Sequence, residues 1–477
     1  RFQDRRGRVI DCSGKTMLPG FIDAHCHIAA YAGSLVSLDL SPRSGVCCIP
    51  DIQEKIRGLC ARIPPGTWIR GKGYDEFHIK ERRHPHRRDL DAASPENPVK
   101  LTHRSGHAHV LNSLALQQVG IDSGTGDPPE GMIDRDLETG IPTGLLYGMN
   151  RYLSGTVPGI GVSEFECGLQ TANRKLLSYG ITSVQDASFS NDLRQWNLFE
   201  SWKERDLFLP RLTMMLGADA FSAFDGGRYV SRRPGGGPRL GSIKIVADRV
   251  TGSLRPPREE LDAMVASVHD AGLQVAIHAV EEPVVEAAVA SIENAVRYNP
   301  RKDARHRIEH CSVCRPEALE RLARVGGMVV TQPVFLFQEG ARYLETVPSD
   351  QLEHLYPIDG MIRSGLRVGA GSDAPVADPN PLVSIGAAVA RRSEDGRLLP
   401  GRGILLIQAI RMHTTEAAAA NFEEHSKGSI SPGKMADFVV LSEDPFTVPP
   451  ERVQDIRVVM TVLGGAIAWN ESGEIHC

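Results

Sequence analysis

The feature that most constrains the fold of this sequence is a series of eight short apolar runs, rich in β-branched residues, separated in several places by helical stretches such as 257–271 and 284–298. Continuous apolar runs are typical of parallel strands that are buried on both faces of a sheet. Eight such strands in β/α order predict an α/β fold of the (β/α)8, TIM-like barrel type. A doubly wound open sheet is the alternative, but no G-x-G-x-x-G motif follows an early strand to favour it. The predicted strands are 20–24, 181–186, 211–216, 242–248, 274–278, 306–310, 327–332 and 367–373.

The first two predicted barrel strands are separated by about 150 residues, which is far longer than a single crossover connection. We therefore interpret residues 30–177 as a region inserted after the first strand, and we expect it to roof the active face of the barrel. The region has strand-like pieces of its own at 67–73 and 98–102. Its Gly- and Pro-rich stretch, 124–144, predicts a loop with turns.

Both ends of the chain contain short β-rich runs with glycine turns, at 8–18, 436–441 and 456–469. We expect these runs to pair into one small composite β-domain. The predicted organisation is therefore a composite β-domain from 1–18 and 425–477, and a barrel from 19–424 that carries the inserted region.

Composition excludes several classes of function. Lys and Arg number 54 and Asp and Glu 59, and this net charge of −5 excludes a broadly basic nucleic-acid surface. The sequence contains no run of about 18 apolar residues, so no membrane span is predicted. The nine cysteines are odd in number and scattered, which favours reduced thiols in a cytoplasmic protein. We expect a small-molecule substrate as the partner, and self-association into a homo-oligomer stays open.

Polar residues with metal-binding side chains fall at the ends of the predicted strands. His25 and His27 follow the first strand as H-x-H, and residues two apart point to the same side of a strand. His278, His310 and Asp373 end the fifth, sixth and eighth strands. Because barrel active sites lie at the C-terminal ends of the strands, all five side chains are predicted to meet at one rim. This donor set predicts one or two divalent ions, with Zn²⁺ as first choice and Mn²⁺, Fe²⁺ or Co²⁺ as alternatives, and it does not suit Ca²⁺.

Lys244 lies inside the predicted fourth strand between Ile243 and Ile245. A buried lysine is costly unless it is paired or modified. Two interpretations remain open at this point. The ammonium group pairs with a carboxylate such as Asp248, or the amine is carboxylated by CO2 and bridges two metal ions as an anionic ligand.

Several motifs resemble those of one large family. His278 and the segments 17–27 (MLPGFIDAHCH), 307–310 (RIEH), 371–375 (GSDAP) and 428–441 (GSISPGKMADFVVL) resemble the amidohydrolase superfamily of metal-dependent hydrolases. The chain is most similar to the YtcJ-like branch, which includes N-substituted formamide deformylase. That branch has an inserted Gly-His followed by Asn-Ser, matched by 106–107 and 112–113, and a later P-x-G-x-L, matched by 142–146. The resemblance implies the barrel fold with a composite β-domain.

The resemblance also implies roles for individual residues. Asp373 would be both a metal ligand and the proton shuttle, Lys244 occupies the position of a carboxylated lysine, and His107 would face the substrate. The implied metal ligands are His25, His27, Lys244, His278, His310 and Asp373.

The expected reaction is hydrolysis of a carbon–nitrogen bond in a small molecule, such as a non-peptide amide, N-acyl or N-formyl bond. A water activated by the metal would attack the carbonyl, and Asp373 would pass its proton to the leaving nitrogen. We expect His107 or Arg307 to help polarise the carbonyl, and Phe335 to line an apolar pocket. The alternatives are a deaminase or a lactone or carbamate hydrolase on the same site, and a barrel without catalytic activity.

The metal-binding imidazoles also need hydrogen-bond acceptors behind them. Asp23, Asp186 and Glu309 are the candidates. Glu309 ranks lowest, because strand alternation points it away from His310.

Overall fold

The structure is a computed structural model. It describes residues 10–12, 14–128, 131–223, 227, 229, 231, 236–249 and 252–471. The chain divides into two compact units. The first, called the barrel unit below, comprises Arg1–Ile28 with Asn173–Cys477, and the second, called the insert unit, comprises Ala29–Ala172.

The described residues form eighteen strands. In chain order they are β1 (Thr16–Pro19), β2 (Phe21–Cys26), β3 (Leu38–Asp39), β4 (Ile69–Tyr74), β5 (Val99–His103), β6 (Ala108–Leu111), β7 (Met132–Arg135), β8 (Pro142–Tyr147), β9 (Ile181–Asp186), β10 (Arg211–Gly217), β11 (Arg239–Val246), β12 (Val275–Ala279), β13 (Arg307–His310), β14 (Met328–Thr331), β15 (Arg367–Ala370), β16 (Phe438–Leu441), β17 (Val458–Leu463) and β18 (Ala466–Asn470).

The described part of the chain also contains eighteen α-helices. They are α1 (Ile28–Leu35), α2 (Ile49–Cys60), α3 (Arg87–Asp91), α4 (Ser113–Gln118), α5 (Asn150–Thr156), α6 (Val162–Ser178), α7 (Leu193–Glu204), α8 (Ala218–Phe221), α9 (Arg258–Asp270), α10 (Glu282–Tyr298), α11 (Pro316–Arg324), α12 (Val334–Gln338), α13 (Gly340–Thr346), α14 (Ser349–Leu352), α15 (Ile358–Arg363), α16 (Pro381–Ala390), α17 (Leu406–Met412) and α18 (Thr415–Ala419). Short 3-10 helices span Pro42–Ser44 and Pro450–Asp455.

Eight parallel strands build the sheet of the barrel unit, in the order β15-β14-β13-β12-β11-β10-β9-β2. Each strand contains one of the eight predicted runs or overlaps with it, so the predicted TIM-like α/β fold is confirmed. Their residues are almost all buried, as expected for strands covered on both faces. Most of the helices that cover the sheet are short. The longer α10 begins with an acidic residue and proline in its first turn, and it buries an apolar stripe against its neighbours.

The barrel closes between the first and last strands through backbone hydrogen bonds beyond the end of β15. Asp373 N donates to His25 O at 2.7 Å, and His27 N donates to Ala374 O at 2.8 Å. Gly371 makes this approach possible, because a Cβ atom there would lie 2.5 Å from His25 N.

The predicted β-rich runs from the two ends of the chain pair in a four-stranded antiparallel sheet, in the order β1-β16-β17-β18, which lies within the barrel unit. It joins a strand from the beginning of the chain to three from its end. Residues 8, 9 and 13 of the predicted N-terminal run lie outside the described residues.

The insert unit contains a six-stranded mixed sheet in the order β3-β4-β5-β6-β8-β7. Its two predicted strand-like pieces correspond to β4 and β5. The prediction of loop and turns throughout 124–144 was wrong in part, because β7 and the start of β8 lie in this stretch and pair as an antiparallel hairpin. The polar Asp136 side chain accepts hydrogen bonds from the backbone of the connecting turn and so stabilises it.

Candidate metal centre

Three side chains converge on one point where the first and last barrel strands meet. His27 Nε2 lies 2.9 Å and His25 Nε2 3.5 Å from Asp373 Oδ1. One donor atom from each of the three residues lies within 4.8 Å of the others. His25 is buried, whereas the side chain of His27 keeps about a quarter of its surface exposed. Two imidazoles and one carboxylate at these distances fit a divalent cation.

His310 joins this group because its backbone departs from the strand conformation. In a regular strand, neighbouring residues point to opposite sides, so Glu309 and His310 could not both face the barrel interior. His310 and Cys311 have φ values of +70° and +49°, in the left-handed region, and this turn breaks the alternation. The His310 ring centroid consequently lies 4.8 Å from that of His25 and 4.3 Å from that of His278. All four predicted histidine ligands therefore lie in one continuous cluster.

Lys244 is buried in β11, with 3% of its surface exposed. Among the described residues, its Nζ atom has no hydrogen-bond partner, so the predicted pairing with Asp248 is not formed. Burial lowers the pKa of Lys244 to about 8, although the negative charges of Glu309 and Asp373 oppose this shift. An unbonded buried amine beside a histidine and carboxylate cluster fits the second interpretation, in which the nitrogen is modified.

The pKa shifts of His25, His310 and Asp373 suit the binding of a cation. Burial, followed by the charge of Lys244, lowers the pKa of His25 well below its usual value and that of His310 to about 3. Burial raises the pKa of Asp373, but the hydrogen bond with His27 and the electrostatic influence of His25, His27 and Lys244 outweigh it, so the net pKa is lowered. Neutral imidazoles and an ionised carboxylate are the forms that bind metal ions.

The three candidate acceptors behind the imidazoles have different partners. Asp23 accepts hydrogen bonds from Ser372 N at 2.9 Å and Ser372 Oγ at 2.5 Å, and burial raises its pKa to about 6. Asp186 accepts from the backbone of Ile28 at 2.7 Å. Asp23 and Asp186 thus anchor the backbone beside the cluster, whereas Glu309 accepts from an imidazole directly.

That imidazole belongs to His25, whose Nδ1 donates to Glu309 Oε2. Ranking Glu309 lowest was therefore wrong, because its partner is across the barrel and not on its own strand. The sequence did not predict two further hydrogen-bond partners of the cluster histidines. His27 Nδ1 lies 3.0 Å from Ser188 Oγ, and His310 Nδ1 lies 2.8 Å from Gln332 Oε1. Both partners lie just beyond strand ends, where no sequence pattern distinguished them from other polar residues.

The predicted substrate-binding residues lie in three different surroundings. Arg307 has no exposed surface, and its hydrogen bonds to protein atoms use every guanidinium N–H, so the structure corrects the prediction that it contacts substrate. Phe335 lies in α12 and packs edge-on against Tyr356, with ring centroids 6.3 Å apart. His107 is an exposed residue of the insert unit, and its backbone N donates to Ser105 Oγ at 3.3 Å. The roles of Phe335 and His107 stay predictions.

Comparison with known proteins identifies the family. The model of the amidohydrolase family matches residues 8–468. The chain belongs to the amidohydrolase family. It is 30% identical to an N-substituted formamide deformylase of Arthrobacter pascens over 98% of this chain and 90% of the relative. It is 28% identical to the YtcJ protein of Bacillus subtilis (strain 168), over 97% of this chain and 90% of that protein.

The fold has solved counterparts as well. The crystal structure of an uncharacterized metal-dependent hydrolase from Pyrococcus horikoshii OT3 aligns with a TM-score of 0.71 at 20% identity, covering 94% of this chain and 90% of that one. This likeness concerns the fold. Within the described ranges, no helix of this amidohydrolase is both long enough and apolar enough to cross a membrane.

Proposed function

We propose that this amidohydrolase uses a divalent metal to hydrolyse a carbon–nitrogen bond in a small, non-peptide amide, an N-formyl or N-acyl amine. The observation that carries the proposal is the convergence of His25, His27 and Asp373 donor atoms within 4.8 Å. The 30% identity to an N-substituted formamide deformylase over nearly the whole chain supports the choice of bond. A small molecule is therefore the partner that we propose.

The residues of the cluster fit a metal ion by their chemistry. His25, His27, His278 and His310 would supply nitrogen donors and Asp373 an oxygen donor, a set that suits Zn²⁺ first and Mn²⁺, Fe²⁺ or Co²⁺ as alternatives. What such an ion would supply when bound is an acidified water, whose pKa falls from that of bulk water to about 7.

Asp373 is the group in this chain that moves the proton. Its carboxylate is ionised and stands beside the two imidazoles of the H-x-H pair, so one oxygen can accept a proton from the attacking water. The same oxygen can then donate that proton to the departing nitrogen, which leaves as a neutral amine. Its position is fixed from behind, because the preceding Ser372 is hydrogen-bonded to Asp23 through both backbone and hydroxyl.

We further propose that Lys244 is carboxylated and that the site holds two ions. The Lys244 ammonium group would first lose a proton, and the neutral amine nitrogen would then form a bond to the carbon of CO2 and lose a second proton, which gives an anionic carbamate with two oxygen donors. The absence of any hydrogen bond to Nζ in the described part of the chain leaves this nitrogen able to react. The carbamate would replace a repelling positive charge beside the histidines by a negative ligand.

The decisive experiment measures metal content and hydrolysis together. The purified protein is freed of metal, reloaded with Zn²⁺, Mn²⁺ or Co²⁺, and assayed on a panel of N-substituted formamides, N-acyl amines, lactones, carbamates and amino-heterocycles. We expect formamides or N-acyl amines to be hydrolysed, with about 10²–10⁴-fold lower kcat in Asp373→Asn.

Asp437→Asn is the matched control. Asp437 is also buried, but it pairs with Arg211 beside the composite sheet, so its loss should not change kcat. Full activity of the metal-free protein would overturn the proposal. Hydrolysis confined to lactones, carbamates or amino-heterocycles would instead support the alternative reactions.

A further inference from the structure

Behind His25 lies a buried row of polar side chains that the proposed reaction does not use. Glu309 accepts a hydrogen bond from His25 Nδ1, and Arg307 holds Glu309 through two parallel contacts, Nε to Oε1 and Nη2 to Oε2, the latter at 3.1 Å. Neither Arg307 nor Glu309 has any exposed surface. A two-pronged contact between a guanidinium and a carboxylate fixes the carboxylate in orientation as well as in position.

The guanidinium is itself fixed from three further directions. Arg307 Nη1 donates to Gln185 Oε1 at 2.7 Å and to Ala420 O at 3.3 Å, and Nη2 donates to Ala24 O at 2.8 Å. Together with the two contacts to Glu309, these bonds use all five N–H groups of the arginine. Gln185 is held in turn, because its Nε2 donates to Ala417 O at 2.9 Å. The row therefore extends from the backbone around α18 to the imidazole of His25.

The direction of each hydrogen bond determines which nitrogen of His25 faces the cluster. A carboxylate paired with arginine is ionised and can only accept, so His25 must carry its proton on Nδ1. Its Nε2 then presents a lone pair, and this atom lies 3.5 Å from Asp373 Oδ1. The opposite tautomer would direct a lone pair at the Glu309 carboxylate and an N–H at the proposed metal.

We propose that Arg307 and Glu309 are positioning residues that fix the tautomer and ring orientation of His25 for metal binding. The inference rests on the proposed function of His25 as a ligand. It gives Arg307 a role in place of the predicted substrate contact, and it accounts for a buried ion pair that lies beneath the site. Hydrogen-bond acceptors behind metal-bound histidines typically change metal affinity by about 10–100-fold when they are removed.

The test measures Co²⁺ binding to the metal-free protein in the absence of substrate. Dissociation constants come from titration calorimetry, and the visible absorption of bound Co²⁺ reports the number and arrangement of its ligands. We expect Glu309→Gln to weaken Co²⁺ binding by about 10–100-fold and to alter the spectrum, because the amide keeps the shape but loses the charge. Circular dichroism and urea unfolding of the metal-free variants establish that they are folded.

Glu423→Gln is the matched control in the same unit. Glu423 is similarly buried, at 3% exposed, and it pairs with Lys427 at 2.7 Å and Arg239 at 2.9 Å. This control should lose stability yet keep the wild-type Co²⁺ affinity and spectrum. If Glu309→Gln does not fold, Glu309→Asp tests the same point. Its carboxylate is one methylene shorter and cannot hold both Arg307 and His25 as Glu309 does, so we expect intermediate affinity.

The outcomes separate this inference from the proposed function. If wild-type protein binds Co²⁺ and His25→Ala binds it weakly, but the Glu309 variants match wild type in affinity and spectrum, the positioning role is wrong and the metal site stands. If wild-type protein binds no divalent ion at the cluster, the proposed function fails and this inference fails with it.

Discussion

Replacing His306 by asparagine should make the barrel unit less sensitive to acid. His306 precedes β13, and its Nδ1 accepts a hydrogen bond from Val275 N at 3.1 Å at the start of β12. Because a backbone N–H can only donate, the His306 proton must be on Nε2, which lies 2.7 Å from His269 Nδ1. His269 Nε2 then donates to Asn299 O at 2.6 Å. These hydrogen bonds need a neutral His306 ring, and they join the starts of the strands that carry His278 and His310 at their other ends.

The size of the stability loss in acid follows from the pKa of His306. Burial, with smaller contributions from His269 and Arg301, lowers it from 6.5 to about 3. Below pH 6.5 the unfolded chain therefore binds a proton that the folded ring does not, so stability is lost as the pH falls from 6.5 towards 3. At pH 5 the interval is 1.5 pH units, which at about 1.36 kcal/mol per unit costs about 2 kcal/mol of unfolding free energy.

Asparagine does not titrate, and its Oδ1 can still accept from Val275 N, whereas the hydrogen bond to His269 is lost. His306→Asn should therefore be less stable than wild type at pH 7, and this deficit should shrink by about 2 kcal/mol at pH 5. Urea unfolding at both pH values, monitored by the fluorescence of the buried Trp196 and Trp202, measures this difference in unfolding free energy. His425→Asn is the control, since that side chain is 93% exposed. Equal losses of stability between pH 7 and pH 5 in wild type and His306→Asn would refute the reasoning.

Three further predictions concern activity. Dialysis against a chelator should abolish hydrolysis and added Zn²⁺, Mn²⁺ or Co²⁺ should restore it, whereas unchanged activity without metal would contradict the proposed site. Lys244→Ala should lose one of two ions and most of the activity, and short-chain carboxylates with excess metal should restore part of both. A fully active one-metal enzyme with an unmodified lysine, seen by mass spectrometry and metal analysis, would exclude the carbamate. His107→Ala should lower kcat by about 10–1000-fold with metal content unchanged, and an unchanged kcat would remove His107 from the reaction.

The barrel could be predicted from the sequence because its signal is local and repeated. Each strand of a sheet covered on both faces is mostly apolar, so every strand could be recognised independently of the others. The hairpin of β7 and β8 could not be predicted in this way. Residues of its second strand, Pro142–Tyr147, alternate in burial, but the hairpin lies among glycines and prolines, so the turn signals dominated the pattern.

The sequence predicts which site residues lie at strand ends, but it does not predict the contacts that they make with residues of other strands. The H-x-H pair and Asp373 were expected at one rim because strand ends meet there. The partner of Glu309 could not be predicted, since its contact with His25 forms across the barrel. The orientation of His310 was equally hidden, because it depends on a left-handed backbone turn that non-glycine residues seldom adopt. The burial of Arg307 depends on carbonyl groups from β2 and from the residue after α18.

The backbone hydrogen bonds that close the barrel beside His25 and Asp373 also determine when the histidine and carboxylate cluster can assemble during synthesis. These two hydrogen bonds join residues that are some 350 positions apart in the chain. During synthesis, the H-x-H pair emerges first and must wait for almost the whole barrel before its carboxylate partner is made. A nascent chain therefore holds only part of the cluster, and at the proposed site tight metal binding would follow only when the barrel is complete. Chains that end before residue 373 should lack this binding altogether, even where their earlier strands have folded.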